Sequence, residues 1–318
     1  MPQHHPVVSD RKVAALRQAM GPVIAAALAD RLVVEVMVNP DGKIWVDRIG
    51  EGRSWTGENL APADADRILR LLADHAGEVV TRDSPRISAT LPETGERFQG
   101  AFMPVVSSPA FAIRKRPEVV FTLAEYIAQG IMTEGQAGVI REAAVNRLNI
   151  LIVGGTGSGK TTLANAILAE PAFAQDRVII IEDTAELQCS ADDQIQMLTK
   201  RTDPPVTMTD LVRDTLRLRP DRIIIGEVRD GSALDLLKAW NTGHPGGLAT
   251  IHANSAAEGL TRLEDLIGEV TQRIPYRAIT QAINVIIYIE RTAKGRRVKA
   301  VSRVTGRVGE DYVLEVCV

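Results

Sequence analysis

"LNILIVGGTGSGKTTLANAIL", residues 148–168, is the stretch on which the fold turns. A short apolar run of strand length is followed by a glycine loop and then by a stretch of helical composition. Gly154 to Thr161 fits the pattern G-x-x-x-x-G-K-[ST] in the strand–loop–helix context that this pattern requires. Glycines let backbone N–H groups turn inward around phosphate oxygens, and the helix N-terminus adds partial positive charge. The candidate nucleotide cradle is Gly154, Gly155, Thr156, Gly157, Ser158, Gly159, Lys160, Thr161 and Thr162. Lys160 can neutralise the β- and γ-phosphates, and the Thr161 hydroxyl can ligate Mg²⁺. A glycine-rich turn without a ligand is the bland alternative, and the flanking strand and helix argue against it.

Working outward, the apolar runs "RVIIIED" (177–183), "DRIIIGE" (221–227) and "GLATIHA" (247–253) alternate with segments of helical length. Short, continuous apolar strands alternating with helices imply a parallel sheet buried on both faces. The end of the chain differs. "NVIIYIE", "RVKAVSRV" and "DYVLEVCV" read as strands joined by short turns.

In a parallel sheet, ligands bind at the C-terminal edge of the strands. Glu182, Asp183 and Glu186 follow one run and Glu227 ends another, so these acids can face the phosphates. One acid can hold the magnesium shell and another can orient the attacking water. Strand ends also carry acids simply because they are solvated, a reading that weakens beside a phosphate loop. Phosphoryl transfer needs further positive charge, for which arginine is suited. Arg114, Arg116, Arg217, Arg219 and Arg229 are the candidates, and at least one is expected to serve.

The remaining sequence limits the possibilities. Hydrophobic residues make up 45% and charged residues 24% of 318, an ordinary balance for a globular chain of two domains. A net charge of −3 gives no basic field of the kind that marks nucleic-acid binding. The two cysteines, Cys189 and Cys317, form neither a disulfide framework nor a CxxC cluster, which fits a reducing compartment. The N-terminus lacks the apolar core of a signal peptide, and Asp30, Arg31 and Glu35 interrupt "PVIAAALADRLVVEVMV" well short of a bilayer span. A cytoplasmic chain is expected, touching a membrane from outside if at all.

The first region reads as an α+β unit. Val13, Leu16, Met20, Val23 and Ala27 recur at helical spacing, with Ser9-Asp10 as the candidate cap. "VVEVMVN" and "KIWVDR" alternate across "PDG", a hairpin signal, and "PADADRILRLLADHAG" reads as a helix closed by Gly77. "RISATL", "QGAFMPVV" and "AFAIRKR" read as further strands. The expected organisation is an N-terminal α+β domain at 1–116, a linker at 117–122, where Pro117 disfavours helix, and a nucleotide domain at 123–318.

Taken in order, "GGTGSGKTTL", "IIIEDTAEL", "LRLRPDRIIIGEVRD" and "TGHPGGLATIHANSA" resemble the Walker A, Asp box, Walker B and His box of the secretion ATPase superfamily. Gly226 stands where a standard Walker B aspartate would be, a departure that this superfamily shares. "FAIRKRPEVVFTLAEYI" is similar to its interdomain strand and linker, so the resemblance covers most of the chain. The lack of a tetracysteine insertion, together with "RPDRIIIGE", "GHPGG" and the compact first region, favours the type IV secretion branch.

The resemblance implies a RecA-like ATPase domain behind a smaller domain, a homo-hexameric ring, and ATP with Mg²⁺ bound between the domains. It places Glu182 on the attacking water, Glu227 in the Walker B position near the Mg²⁺ that Thr161 also binds, and Arg114 or Arg116 near the nucleotide. The implied partners are secretion or conjugation subunits at the cytoplasmic face of a bacterial inner membrane, with peripheral membrane contact and no sequence-specific nucleic-acid binding. A type IV pilus motor is the alternative within the class, and a nucleic-acid translocase or packaging ATPase the alternative outside it. A scaffold that binds nucleotide without hydrolysing it is disfavoured by the intact Lys160, Glu182 and Glu227.

His244 and His252 lie eight positions apart, with no further histidine or cysteine at ligand spacing, so zinc is not expected. His252 ends "GLATIH" at the edge that also carries the acids, where an imidazole can donate to a γ-phosphate oxygen. His244 lies in a Gly-His-Pro-Gly-Gly turn, and a core role and a functional role are both open for it.

Overall fold

The computed structural model describes residues 6–92, 94–116, 119–200, 204–292 and 295–317, and the side chains from residue 11 onward. Pro117 and Glu118 of the expected linker lie outside the described residues. The chain forms two compact units, Met1–Val119 and Val120–Val318.

The first unit is a six-stranded antiparallel sheet. It comprises β1 (Val33–Val38), β2 (Lys43–Arg48), β3 (Gly52–Asn59), β4 (Arg86–Thr90), β5 (Arg97–Ala101) and β6 (Ala110–Arg114), in the order β3-β2-β1-β6-β5-β4. Helices α1 (Pro6–Ala29) and α2 (Pro62–Ala76) supply Leu16, Met20, Ile24, Ile68, Leu69 and Leu72 to its core against Val36, Phe98 and Ile113. The β1–β2 hairpin needs its glycine: Gly42 has φ +80°, and a Cβ there would lie 2.7 Å from the Leu60 carbonyl oxygen. Gly77 closes α2 in the left-handed conformation, as its position predicts.

Three local expectations differ. Helix α1 is already helical from Pro6, the first described residue, so Ser9 and Asp10 fall inside it, and Gly21 at φ 69°, followed by Pro22, breaks it in two. β5 stops at Ala101 rather than running through Pro104, which has no N–H to give a ladder. β3 was not anticipated because this edge strand shows no apolar alternation and is largely exposed.

The second unit opens with α3 (Leu123–Ala128) and α4 (Glu134–Val145), capped by Thr122 and Thr133 in reciprocal capping boxes. Its eight-stranded sheet has the order β14-β13-β12-β7-β11-β10-β8-β9. The strands are β7 (Ile150–Val153), β8 (Val178–Glu182), β9 (Gln194–Leu198), β10 (Arg222–Ile225), β11 (Leu248–Ile251), β12 (Val285–Thr292), β13 (Gly295–Val308) and β14 (Asp311–Val316). β9, β8, β10, β11, β7 and β12 run parallel, while β12, β13 and β14 form an antiparallel meander.

Burial alternates across the sheet. Ile150, Ile152, Ile180 and Ile224 pack with Leu163 and Ile167 of α5 (Lys160–Leu168). Leu151, Val153, Ile179, Ile181, Ile223 and Ile225 pack with α6 (Met208–Thr215), α7 (Ser232–Asn241) and α8 (Ala256–Gly268) through Leu211, Trp240 and Leu263. Each such aliphatic side chain contributes about 1.5–3 kcal/mol on burial, which makes this continuous strand pattern a rigid platform. β9 escaped the sequence reading because "QIQML" is a short, half-exposed edge strand.

Candidate nucleotide site

The parallel register places the residues after each strand at one edge. Ile251 pairs with Val153, and Ile225 with Ile181 and Ala249. Gly154, Glu182, Glu227 and His252 therefore emerge side by side.

The loop after β7 delivers Lys160 as the first residue of α5. Unlike α3, α4 and α6, α5 has no side-chain cap; its N-cap is Gly159, with φ 97°. Its first-turn amides lack a side-chain acceptor, and a phosphate meets that need. Ser158 Oγ is buried without a hydrogen-bond partner inside the same loop. Lys160 is buried, and its Nζ donates to the Gly154 and Gly155 carbonyl oxygens at 3.0 and 3.2 Å. Donors arranged around a concave loop, with an orphaned hydroxyl among them, fit a polyphosphate.

A line of polar contacts leads away from Lys160. Its Nζ lies 3.2 and 3.3 Å from the two ring nitrogens of His252. His252 Nε2 faces Glu227 Oε1 at 2.5 Å, and the other oxygen of Glu227 accepts from Arg229. Arg229 Nη1 reaches Asp183 Oδ2 at 3.2 Å, and Thr199 Oγ1 donates to Asp183 Oδ1 at 2.7 Å. The contacts cross the ends of five strands, β7, β11, β10, β8 and β9.

Glu182 lies at the expected edge but is engaged otherwise. Its Oε1 accepts from the backbone N–H groups of Glu186 and Leu187 at 3.1 and 3.0 Å, and its Oε2 from Gln196 Nε2 at 2.8 Å. Burial raises its pKa above the ordinary glutamate value, and these hydrogen bonds partly offset the rise. Its side chain also accounts for Gly226. A Cβ at 226 would lie 2.9 Å from Glu182 Cγ and 3.1 Å from its Oε1, so the space of a Walker B aspartate is occupied by Glu182.

The arginine candidates separate by place. Arg217 and Arg219 precede β10, at the opposite edge of the sheet, and are exposed. Arg229 follows β10 and joins the contacts just described. Arg114 ends β6 and Arg116 follows it, both within the first unit. The two histidines lie at opposite ends of β11: His244 precedes the strand with Nδ1 3.1 Å from the Pro220 carbonyl oxygen, a tether between two loops. Asp183, Thr199 and Gln196 were not assigned these contacts from sequence. A short strand-like alternation in "QIQML" was the one signal that could have placed Gln196 beside Glu182.

A phosphate loop on a parallel sheet, with a histidine and a glutamate at neighbouring strand ends, defines a P-loop nucleotide-binding protein of the α/β class. Within that class, residues 67–306 match the model of the type II/IV secretion system protein family, and the chain belongs to this family. It is 47% identical to a probable conjugal transfer protein TrbB of Sinorhizobium fredii, over 96% of this chain and 93% of that one. It is 27% identical to the type IV secretion system protein VirB11 of Bartonella quintana, over 82% and 83% of the two chains. The Legionella pneumophila ATPase DotB shares its fold, with a TM-score of 0.61 at 20% identity over 93% of this chain and 80% of that one. The fold is the RecA-like one of the secretion ATPases, joined to a smaller α+β unit.

Proposed function

We propose that the chain is the Mg²⁺-dependent ATP-hydrolysing subunit of a homo-hexameric motor that powers type IV secretion or conjugative transfer. The observation that carries this reading is the contact of the P-loop lysine, Lys160, with His252, and of His252 with Glu227, each from a different strand end. Lys160 exchanges its loop carbonyls for the β- and γ-phosphates when nucleotide enters. His252, no longer held against Lys160, donates to the γ-phosphate oxygen and senses its departure. Glu227 is the acid at the hydrolysed end, where it orients water and, with Thr161, would hold the Mg²⁺ shell. That ion supplies positive charge against the phosphate oxygens. Glu182, whose carboxylate is tied to the Glu186 and Leu187 backbone N–H groups and to Gln196 rather than to the contacts that lead from Lys160, positions the 183–187 loop.

The name of the TrbB relative supports conjugative transfer as the process served, and family membership supports the ring and its secretion-machinery partners. Among the described residues no helix is long and apolar enough to cross a membrane. A cytoplasmic motor docked peripherally on the inner membrane accords with this. It would grip no specific nucleic-acid sequence.

The test is steady-state phosphate release, with circular dichroism as the control for folding. Lys160→Ala should reduce turnover to background with an unchanged spectrum. Turnover retained in the folded variant rejects the site.

A further inference from the structure

The β12–β13 hairpin places two arginines beside the P-loop that no part of the preceding mechanism uses. Arg291 and Arg296 are directly opposite each other in its antiparallel register, so they share a face. A Cβ built on Gly159 would meet Arg296 Cδ at 2.8 Å and Nε at 3.1 Å, and one built on Gly157 would lie 3.9 Å from Arg291 Nη1. Both guanidinium side chains therefore run along the two P-loop glycines of positive φ.

Their charge is not balanced locally. The next pair in the register is Arg297 opposite Glu290, and Lys299 lies 3.7 Å from that same glutamate. Among the described residues, Arg291 and Arg296 have no carboxylate within ion-pair distance. Like charges directly opposite each other on a sheet are destabilising, and an anion between them removes the penalty. An exposed basic hairpin is usually a solvated face; here the close approach to Gly157 and Gly159 argues otherwise.

The sheet order specifies which part of the anion is involved. β7, which leads into the P-loop, lies between β11 and β12. His252 meets Lys160 from the β11 side, with Glu227 behind it at the end of β10, and the arginines flank the loop from the β12 side. A nucleotide with its γ-phosphate toward Glu227 extends its other end toward the hairpin. We infer that Arg291 and Arg296 form a guanidinium clamp on the α-phosphate end of the bound nucleotide, holding ATP and ADP alike. The inference rests on the nucleotide-site reading above.

Isothermal titration calorimetry with ADP and with a slowly hydrolysed ATP analogue, in wild type, Arg291→Gln, Arg296→Gln and Arg297→Gln, tests it. Each of the first two variants should weaken both nucleotides by the same factor, about tenfold, the scale of one charge-assisted hydrogen bond. Arg297→Gln, which faces away beside Glu290, should bind as wild type. The Arg291→Gln/Arg296→Gln double variant should melt no lower than wild type without nucleotide, because a like-charge pair is gone, and should gain less stability from ADP. Unchanged ADP affinity in both variants overturns the clamp, as does a loss confined to the ATP analogue or an equal loss in Arg297→Gln. A wild-type chain that binds neither nucleotide overturns the clamp and the proposed function together. Wild-type binding with unaffected variants overturns the clamp alone.

Discussion

Replacing Gly226 by alanine should destabilise the second unit through Glu182 alone. The added Cβ would stand 2.9 Å from Glu182 Cγ and 3.1 Å from Oε1, well inside ordinary contact distance. Glu182 cannot yield freely, because its carboxylate is held by the amides of Glu186 and Leu187 and by Gln196. Moving it by a few tenths of an ångström or more weakens one or two of these bonds, at about 1–3 kcal/mol for charge-assisted contacts. Gly226 does not have a positive φ, so alanine also restricts the unfolded chain and returns about 0.4–1 kcal/mol. The net loss should be about 1–2 kcal/mol, which lowers the melting temperature by roughly 2–8 °C for a unit of this size. Calorimetry on Gly226→Ala, Glu182→Ala and the double variant reads the coupling directly. In the Glu182→Ala background, where Cγ is absent, the same glycine substitution should cost nothing. Equal melting temperatures for wild type and Gly226→Ala, or an equal loss in both backgrounds, would refute this explanation of the missing Walker B aspartate.

The two glutamates should separate kinetically: Glu227→Gln should lower turnover by ~10²-fold or more, the scale of a lost general base, and Glu182→Gln by less than ~10-fold. The opposite pattern in phosphate release would return the attacking water to Glu182. Because burial raises the folded-state pKa of Glu182, the native chain holds that proton more tightly than the unfolded one. Stability should therefore fall as pH rises from near the ordinary glutamate pKa through the folded value, and urea titrations across that range should show a smaller fall in Glu182→Gln. His252→Ala should keep nucleotide affinity and lose turnover; full activity in that variant would remove the γ-phosphate sensor. Mass photometry should find hexamers with a slowly hydrolysed ATP analogue, and a strict monomer at micromolar concentration with and without it counts against the ring.

Much of the site is legible in the order of residues because its chemistry is local. The run from Ile150 to Thr162 contains its own strand, turn and helix start, so a phosphate loop can be read without any long-range contact. The apolar runs around Ile180, Ile224 and Ala249 likewise identify themselves as strands buried on both faces, and the strand ends then carry Glu182, Glu227 and His252 to one edge. Even the separation of His244 from His252 follows from strand length, since a strand lies between them. Tertiary structure decided the rest, because side-chain direction and register depend on residues far away in the chain. Glu182 turns toward its own loop because β9, a weakly patterned edge strand, brings Gln196 beside it, and Gly226 is small because of that turn. Arg291 and Arg296 come together beside Gly157 and Gly159 through a hairpin register and a strand order that no local pattern encodes. Composition and spacing can specify which groups reach an edge; packing across the sheet determines what each of them faces there.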